Sequence, residues 1–323
     1  MGHLFRHHKR EVKRMLEQIT NAAKTYTMRG KPASYIPVLA LQSVDQFAAC
    51  IIDQSGNCFE AGNIEAQFTL QSISKVINFI VACEYHGLQF VLDKVDVEPT
   101  GDAFNSIIRL ESTAPGKPFN PMINAGAITV ASMLPGETVK DRIAYVADFL
   151  YRITGHLHQV NEEVYRSEIE TTHRNRAIAH YLKANDYLLC DVEEALETYI
   201  RLCSLEVSAK DLAKIGLMLA GNGVHPSTNE KFITPKTAKV TKALMTTCGL
   251  YNASGKYAAS IGIPMKSGVS GGVLCTVSYG KIEHLEGKLG IGVYSPGIDD
   301  IGNSVAGMKF IEKLSHTYDL SIF

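Results

Sequence analysis

Ser72 and Lys75 stand three residues apart where a polar turn gives way to an apolar run, in QSISKVINFIVACEYHG (71–87). A serine hydroxyl becomes a nucleophile only when a neighbouring base takes its proton. Lysine can be that base once neutral, and lowering its pKa from about 10.4 to about 7 takes on the order of 4–5 kcal/mol of desolvation or like-charge repulsion. Ile73, Val76, Ile77, Ile80 and Val81 recur at helical spacing, so the segment predicts a helix opening near Ser72 and stopping at Gly87. Residues three apart share a helix face, and free N–H groups at a helix start favour an oxyanion. A solvated surface lysine behind a capping serine is the alternative reading of the pair.

S-x-x-K recurs at Ser278 and Lys281, but at a strand end, where i and i+3 face opposite sides. Only the first pair suits catalysis. Lys266-Ser267-Gly268, in PMKSGVSGG (264–272), opens a late strand and adds a second cation and, just beyond the glycine, the Val269 N–H. With the Ser72 N–H it would form an oxyanion hole, each donor worth about 2.7–4 kcal/mol in the transition state. A Gly-rich turn with a surface lysine is the plainer alternative.

The elements that must hold these residues are legible too. QFAACIID (46–53) reads as a strand, DQSGN (53–57) as a turn and the Phe-rich stretch 58–70 as a second strand, together a hairpin. From Ser72 to about residue 250 apolar residues recur every three or four, as in KDRIAYVADFLYRITG, DVEEALETYIRLCSLEV and SAKDLAKIGLMLAGNG, while 110–122 reads as a Pro- and Gly-rich loop. Strand character returns at 272–280 and 288–296, followed by a helix with Val305, Met308, Ile311 and Leu314 on one face. Such segregation predicts an α+β protein whose two chain ends build one antiparallel sheet beside a helical lobe.

The balance of 32 Lys+Arg against 33 Asp+Glu leaves no global field for nucleic acid or an anionic membrane, so a small-molecule site is expected. Seven scattered cysteines without a C-x-x-C argue for a reducing compartment, and no apolar stretch suggests a secretory signal or membrane span. A cytoplasmic protein is expected. The first 31 residues carry eight basic side chains against two acidic ones. Val12, Met15, Leu16 and Ile19 at helical spacing favour a first helix with a basic outer face over a transit peptide. No metal is expected: His3, His7 and His8 lie in a terminal tail, and His156 and His158 lack a Cys or acidic partner at ligand spacing.

S-x-x-K followed by K-[ST]-G resembles the penicillin-recognising serine enzymes of the β-lactamase-like fold. A fuller resemblance is to the serine-dependent glutaminases: SYIPVLA (34–40), QSISK, NPMINAGAI, Ser167-Glu168 with RNRA, YIRLCSLEV, CGLYNASG, KSGVSGG and the terminal GNSVAG (302–307) match that family's motifs in order. The resemblance implies one domain over 1–323, with a sheet subdomain at 1–70 and 255–323 and a helical subdomain at 71–254. It implies hydrolysis of L-glutamine to L-glutamate and ammonia, in glutamine catabolism or glutamate biosynthesis, without metal or organic cofactor. Ser72 would be the nucleophile, with Lys75 and Tyr251 sharing proton transfer. Tyr35, Ser72, Asn124, Glu168, Asn175, Tyr199, Tyr251 and Val269 would bind substrate. Glu168 suits the substrate ammonium, and the neutral donors suit its other polar ends. A homo-oligomer, dimer or tetramer, is implied as well.

Two departures stand out. Ser270 replaces the small Gly or Ala more usual in the family, a change expected to narrow the mouth or add a hydroxyl near the oxyanion strand. Between Lys75 and Lys266 the one match to the middle S-x-N motif of the β-lactamases, Ser227-Thr228-Asn229, lies in a loop, so Tyr251 is expected to fill that third role. A penicillin-interactive hydrolase and a non-catalytic binding protein on the same scaffold are the rival classes.

Overall fold

The computed structural model describes residues 15–112, 116–225 and 229–323. Among them the strands are β1 (Ala48–Asp53), β2 (Cys58–Gly62), β3 (Phe68–Thr69), β4 (Glu206–Val207), β5 (Met265–Ser267), β6 (Gly272–Ile282) and β7 (Leu285–Tyr294). Five form an antiparallel sheet in the order β2-β1-β7-β6-β5, so both chain ends supply it, as the segregation of strand signals predicts. The β1–β2 hairpin turns on Asp53, whose carboxylate accepts from the Ser55 and Asn57 N–H groups at 2.8 and 2.9 Å.

The helices are α1 (15–24), α2 (Ser74–His86), α3 (Leu88–Lys94), α4 (Ile108–Ser112), α5 (Asn124–Ala131), α6 (Val139–Thr154) and α7 (Glu162–Thr171). After them come α8 (His173–Ala184), α9 (Val192–Cys203), α10 (Ala209–Ala220), α11 (Pro235–Cys248), α12 (Ser254–Ser260) and α13 (Val305–Tyr318). β1 is buried along its whole length because helices cover the sheet on both sides, which is why it reads as a continuous apolar run. On one face α1 and α13 pack Leu16, Ile19, Phe310 and Leu314 against Ile51, Val273 and Ile291. On the other lies α10, close enough that a Cβ at Gly290 or Gly292 would come within 2 Å of the Ala213 or Ala209 carbonyl oxygen. A separate core joins α5, α8 and α9 through Ile128, Ile178, Leu196 and Ile200.

Several sequence expectations are corrected. The stretch 58–70 is not one strand: it turns at 63–67, and β3 leaves the main sheet to pair with β4, so the middle of the chain is not wholly helical. No local pattern encodes a partner that far along the chain. The expected loop 110–122 begins inside α4. Met15 is 43% exposed, so among the described residues of the N-terminal periodicity Leu16 and Ile19 reach the core. Val12, His3, His7, His8 and the basic residues up to Arg14 lie outside the described residues. No helix among the described residues is long and apolar enough to cross a membrane.

Candidate active site

The turn that carries Ser72 is built before the helix begins. Gln71–Ile73 forms a 3-10 turn that runs into α2, and Gln71 holds φ +46°, a left-handed backbone that residues other than glycine adopt at a penalty of about 1–3 kcal/mol. Neighbouring chain fixes it there. The Leu70 N–H donates to the Leu205 carbonyl at 2.8 Å, and the Ser270 hydroxyl donates to the Thr69 carbonyl at 2.6 Å. Gly268 packs against the same turn, where a Cβ would sit 2.6 Å from the Leu70 oxygen. The K-S-G segment therefore abuts the turn that carries Ser72. Lys266 and Ser267 end the short strand β5 rather than opening a long one.

Lys75 is 1% exposed, and its Nζ donates to Asn124 Oδ1 at 2.7 Å and to the Met122 carbonyl at 3.1 Å. Burial pulls its pKa down to about 8, against the opposite influence of Cys203 and Glu168. Lys266, fully buried, donates to the Gly249 and Ser267 carbonyls at 3.0 and 2.7 Å and lies 4.7 Å from the centre of the Tyr251 ring. Burial and then the Lys75 charge hold its pKa well below the usual lysine range.

Tyr251 also takes a left-handed backbone, φ +54°. Burial pushes its pKa up to about 12, while the Ser72 and Ser267 hydroxyls beside it pull the other way. Neither reaches good hydrogen-bond geometry, and the Tyr251 hydroxyl is buried without a formed partner.

A cavity of about 360 Å³ opens over Ser72, and Tyr35, Gln71, Phe104, Asn124, Glu168, Asn175 and Tyr199 line it with Arg174 and Thr172. Six sequence-predicted residues thus meet on one surface. Tyr35 remains 53% exposed there, and Tyr199 is buried. Asn124 is the hub: Oδ1 accepts from Lys75 and from the Tyr199 hydroxyl (3.3 Å), while Nδ2 donates to Asn175 Oδ1 at 2.8 Å. Glu168 is half-buried overall, but its Oε2 is sealed from solvent and unpartnered. Burial raises its pKa to about 7 despite the pull of Gln71 and Lys75.

Tyr251 lines a smaller recess across Phe104, and Val269 is buried beside it among Ile36, Leu39 and Val164. Neither the Ser72 nor the Val269 N–H donates to a backbone carbonyl among the described residues. Ser270 is buried with its hydroxyl on Thr69, so it secures the turn before Ser72 and does not narrow the mouth. Of the Ser227-Thr228-Asn229 match, the first two residues lie outside the described residues.

Sequence reasoning missed Gln71, Phe104, Thr172 and Arg174. Arg174 stood inside the quoted RNRA motif and carried the signal without being used. The histidine expectation is corrected too: His156 Nε2 lies 3.3 Å from Asp211 Oδ2, an acidic partner brought in from the start of α10. His158 is not an open ligand, because Nδ1 bonds the Glu206 carbonyl (2.9 Å) and Nε2 bonds the Thr154 hydroxyl (2.8 Å). A cavity of about 940 Å³ between α1 and β2 contains none of the Ser72 constellation.

With this geometry in place, the chain was compared with known proteins. The family model described as Glutaminase matches residues 30–323. A curated relative, Glutaminase 2 of Bacillus anthracis, is 51% identical over 310 residues, covering 95% of both chains. The crystal structure of a probable glutaminase of Bacillus subtilis aligns at TM-score 0.89 and 46% identity, over 95% of this chain and 96% of that one. A second structure, at TM-score 0.85 and 43% identity over 95% and 98%, is the covalent complex between a Bacillus subtilis glutaminase and 5-oxo-L-norleucine, formed by reaction with 6-diazo-5-oxo-L-norleucine.

Proposed function

This chain belongs to the glutaminase family, and from that premise we propose that it hydrolyses L-glutamine to L-glutamate and ammonia through an acyl-enzyme on Ser72. The observation that carries the mechanism is Lys75, buried one turn from Ser72, with a pKa near 8 and its amine held by Asn124 and Met122. A fraction of such a lysine is neutral near pH 7, which an exposed lysine is not. Neutral Lys75 takes the Ser72 proton as Oγ attacks the side-chain amide carbon. The oxyanion rests on the Ser72 and Val269 N–H groups, neither of them claimed by a backbone carbonyl.

The C–N bond then breaks. Tyr251 gives its proton to the departing nitrogen and is reprotonated from Lys75, so ammonia leaves and a glutamyl ester remains on Ser72. Water, giving its proton to Lys75, cleaves that ester, and the proton returns to Ser72 as glutamate departs. Glu168 pairs with the substrate ammonium, and Tyr35, Asn124, Asn175 and Tyr199 orient the amino acid. The relative's covalent product with a diazoketone carrying an amino-acid end supports a nucleophile in this site.

The sheet with its helical insert supports a β-lactamase-like fold, divided into sheet and helical subdomains as the sequence implied. Seven free thiols fit a reducing, cytoplasmic setting. Homo-oligomerisation rests on the family resemblance and is tested by native mass. The function is tested by glutamate release from L-glutamine, with asparagine as control amide and Ser72→Ala in parallel. Turnover lost in Ser72→Ala supports the assignment; turnover that survives the substitution removes Ser72 from the chemistry.

A further inference from the structure

We propose that the recess across Phe104 receives the departing ammonia and leads it to solvent, and that its size sets the preference of the site for unsubstituted side-chain amides over N-alkyl ones. The inference rests on the reading above, in which Tyr251 gives its proton to the leaving nitrogen. The recess and the Ser72 cavity share one lining residue, Phe104. The centre of its ring lies 5.3 Å from that of Tyr251 and 5.9 Å from Lys75 Nζ. Met122, which also lines the recess, holds Lys75 Nζ on its carbonyl at 3.1 Å. The recess therefore begins beside the two groups that carry the protons.

Burial falls outward along it. Asn120 and Met122 are buried, Cys248 is half-buried, and Thr247 and Asn252 are exposed. One wall is the stretch 99–104, and the other is the end of α11 with the turn into Tyr251. Asn252 Nδ2 donates to the Gly101 carbonyl at 3.3 Å and so ties the two walls together. A passage graded in this way joins the reacting groups to water by a route separate from the mouth at Tyr35 and Glu168. Nitrogen can leave by it without any movement of the glutamyl group that still fills the cavity.

Size and polarity both suit ammonia. The recess has room of about 20 Å³, enough for one molecule the size of water. Ammonia has that size, whereas methylamine carries a second heavy atom. The polar groups of the recess are already engaged: Asn120 Oδ1 accepts from the Met122 and Ile123 N–H groups at 3.0 and 3.1 Å, its Nδ2 donates to the Glu98 carbonyl at 2.8 Å, and Asp102 is paired with Arg109. Such a lining passes neutral ammonia without holding an ammonium ion.

The test compares kcat/KM for L-glutamine with that for its side-chain N-methyl amide, in wild type, Cys248→Ala and Thr247→Leu. Both residues wall the recess and have no part in the chemistry above. Removing the Cys248 sulfur makes room for about one more heavy atom, so the methylamide-to-glutamine ratio should rise about tenfold, the worth of one methyl group in a fitted pocket. Thr247→Leu, on the exposed outer wall, should lower the ratio, and it decides alone if Cys248→Ala does not fold. A ratio that the variants leave unchanged, or an equal change on both substrates, overturns the proposal while the functional reading stands. If wild type turns over no glutamine, the functional reading fails and takes this inference with it.

Discussion

Two polar clusters sit on either side of the β3–β4 pairing, and they are built on opposite principles. At the start of α10, Asp211 Oδ2 accepts from the Ser208 N–H (2.8 Å) and hydroxyl (2.7 Å) and faces His156, while both ring nitrogens of His158 are bonded. Every polar group named there has a partner. Around Ser72 the Glu168 Oε2 and the Tyr251 hydroxyl are buried without one, two buried lysines repel each other, and Gln71 and Tyr251 hold left-handed backbone. A cluster that only holds the fold together saturates its bonds. One that performs chemistry leaves groups unpaired for the substrate and draws pKa values towards neutrality.

The contrast breaks first at Ser72. Replacing it with alanine should lower kcat on glutamine by about 10⁴-fold or more, since a nucleophile acts as a unit with its base, while thermal unfolding should move little. A loss below about tenfold would mean that the strained turn serves something other than acyl transfer.

Glu168→Gln sharpens the contrast because activity and stability should move in opposite directions. Losing the ammonium partner should lower kcat/KM on the order of 10²-fold. The folded-state pKa near 7 lies above the unfolded value, so ionised Glu168 opposes folding from about pH 4.5 upward, fully so above about pH 7. Glutamine at this position should therefore stabilise the protein by about 1–3 kcal/mol at pH 8, and the gain should vanish below about pH 4.5. Destabilisation at pH 8 would show that the carboxylate is not frustrated.

The same two groups fix a pH profile. Lys75 must be neutral and Glu168 ionised, so kcat/KM should rise with a logarithmic slope near two below pH 7, near one between 7 and 8, and flatten above. Glu168→Gln should reduce the steepest slope to one. A flat wild-type profile across this range would exclude neutral Lys75 as the base.

How much of this was legible in the sequence follows from how local each feature is. The Ser72–Lys75 spacing, the K-S-G segment and the β1–β2 hairpin are written within a few consecutive residues; the hairpin forms, while Ser72 lies in a 3-10 turn before α2 and the K-S-G segment ends β5 instead of opening a strand. β3 was absorbed into a longer strand because its partner lies beyond α9, and no local periodicity encodes that pairing. Asp211 was missed as a partner of His156 for the same reason. Arg174 was overlooked because, in the sequence, one more arginine in a basic helix turn looks like solvated surface.

The smallest effects should come from the saturated cluster, and they complete the comparison. Asp211→Asn removes an N-terminal capping box and should cost about 1–2 kcal/mol of stability at neutral pH, visible as a fall of a few degrees in Tm. Because no residue of this cluster lines the Ser72 cavity, kcat/KM for glutamine should stay within about twofold. His156→Ala should change less, within about 0.5 kcal/mol, since His156 is 47% exposed along its side chain and exposed pairs contribute little. Both substitutions act on bonds that are already made, so they lower stability or leave it alone. A gain in stability from either, like that expected of Glu168→Gln, would place this cluster among the unsatisfied ones and call for a ligand there.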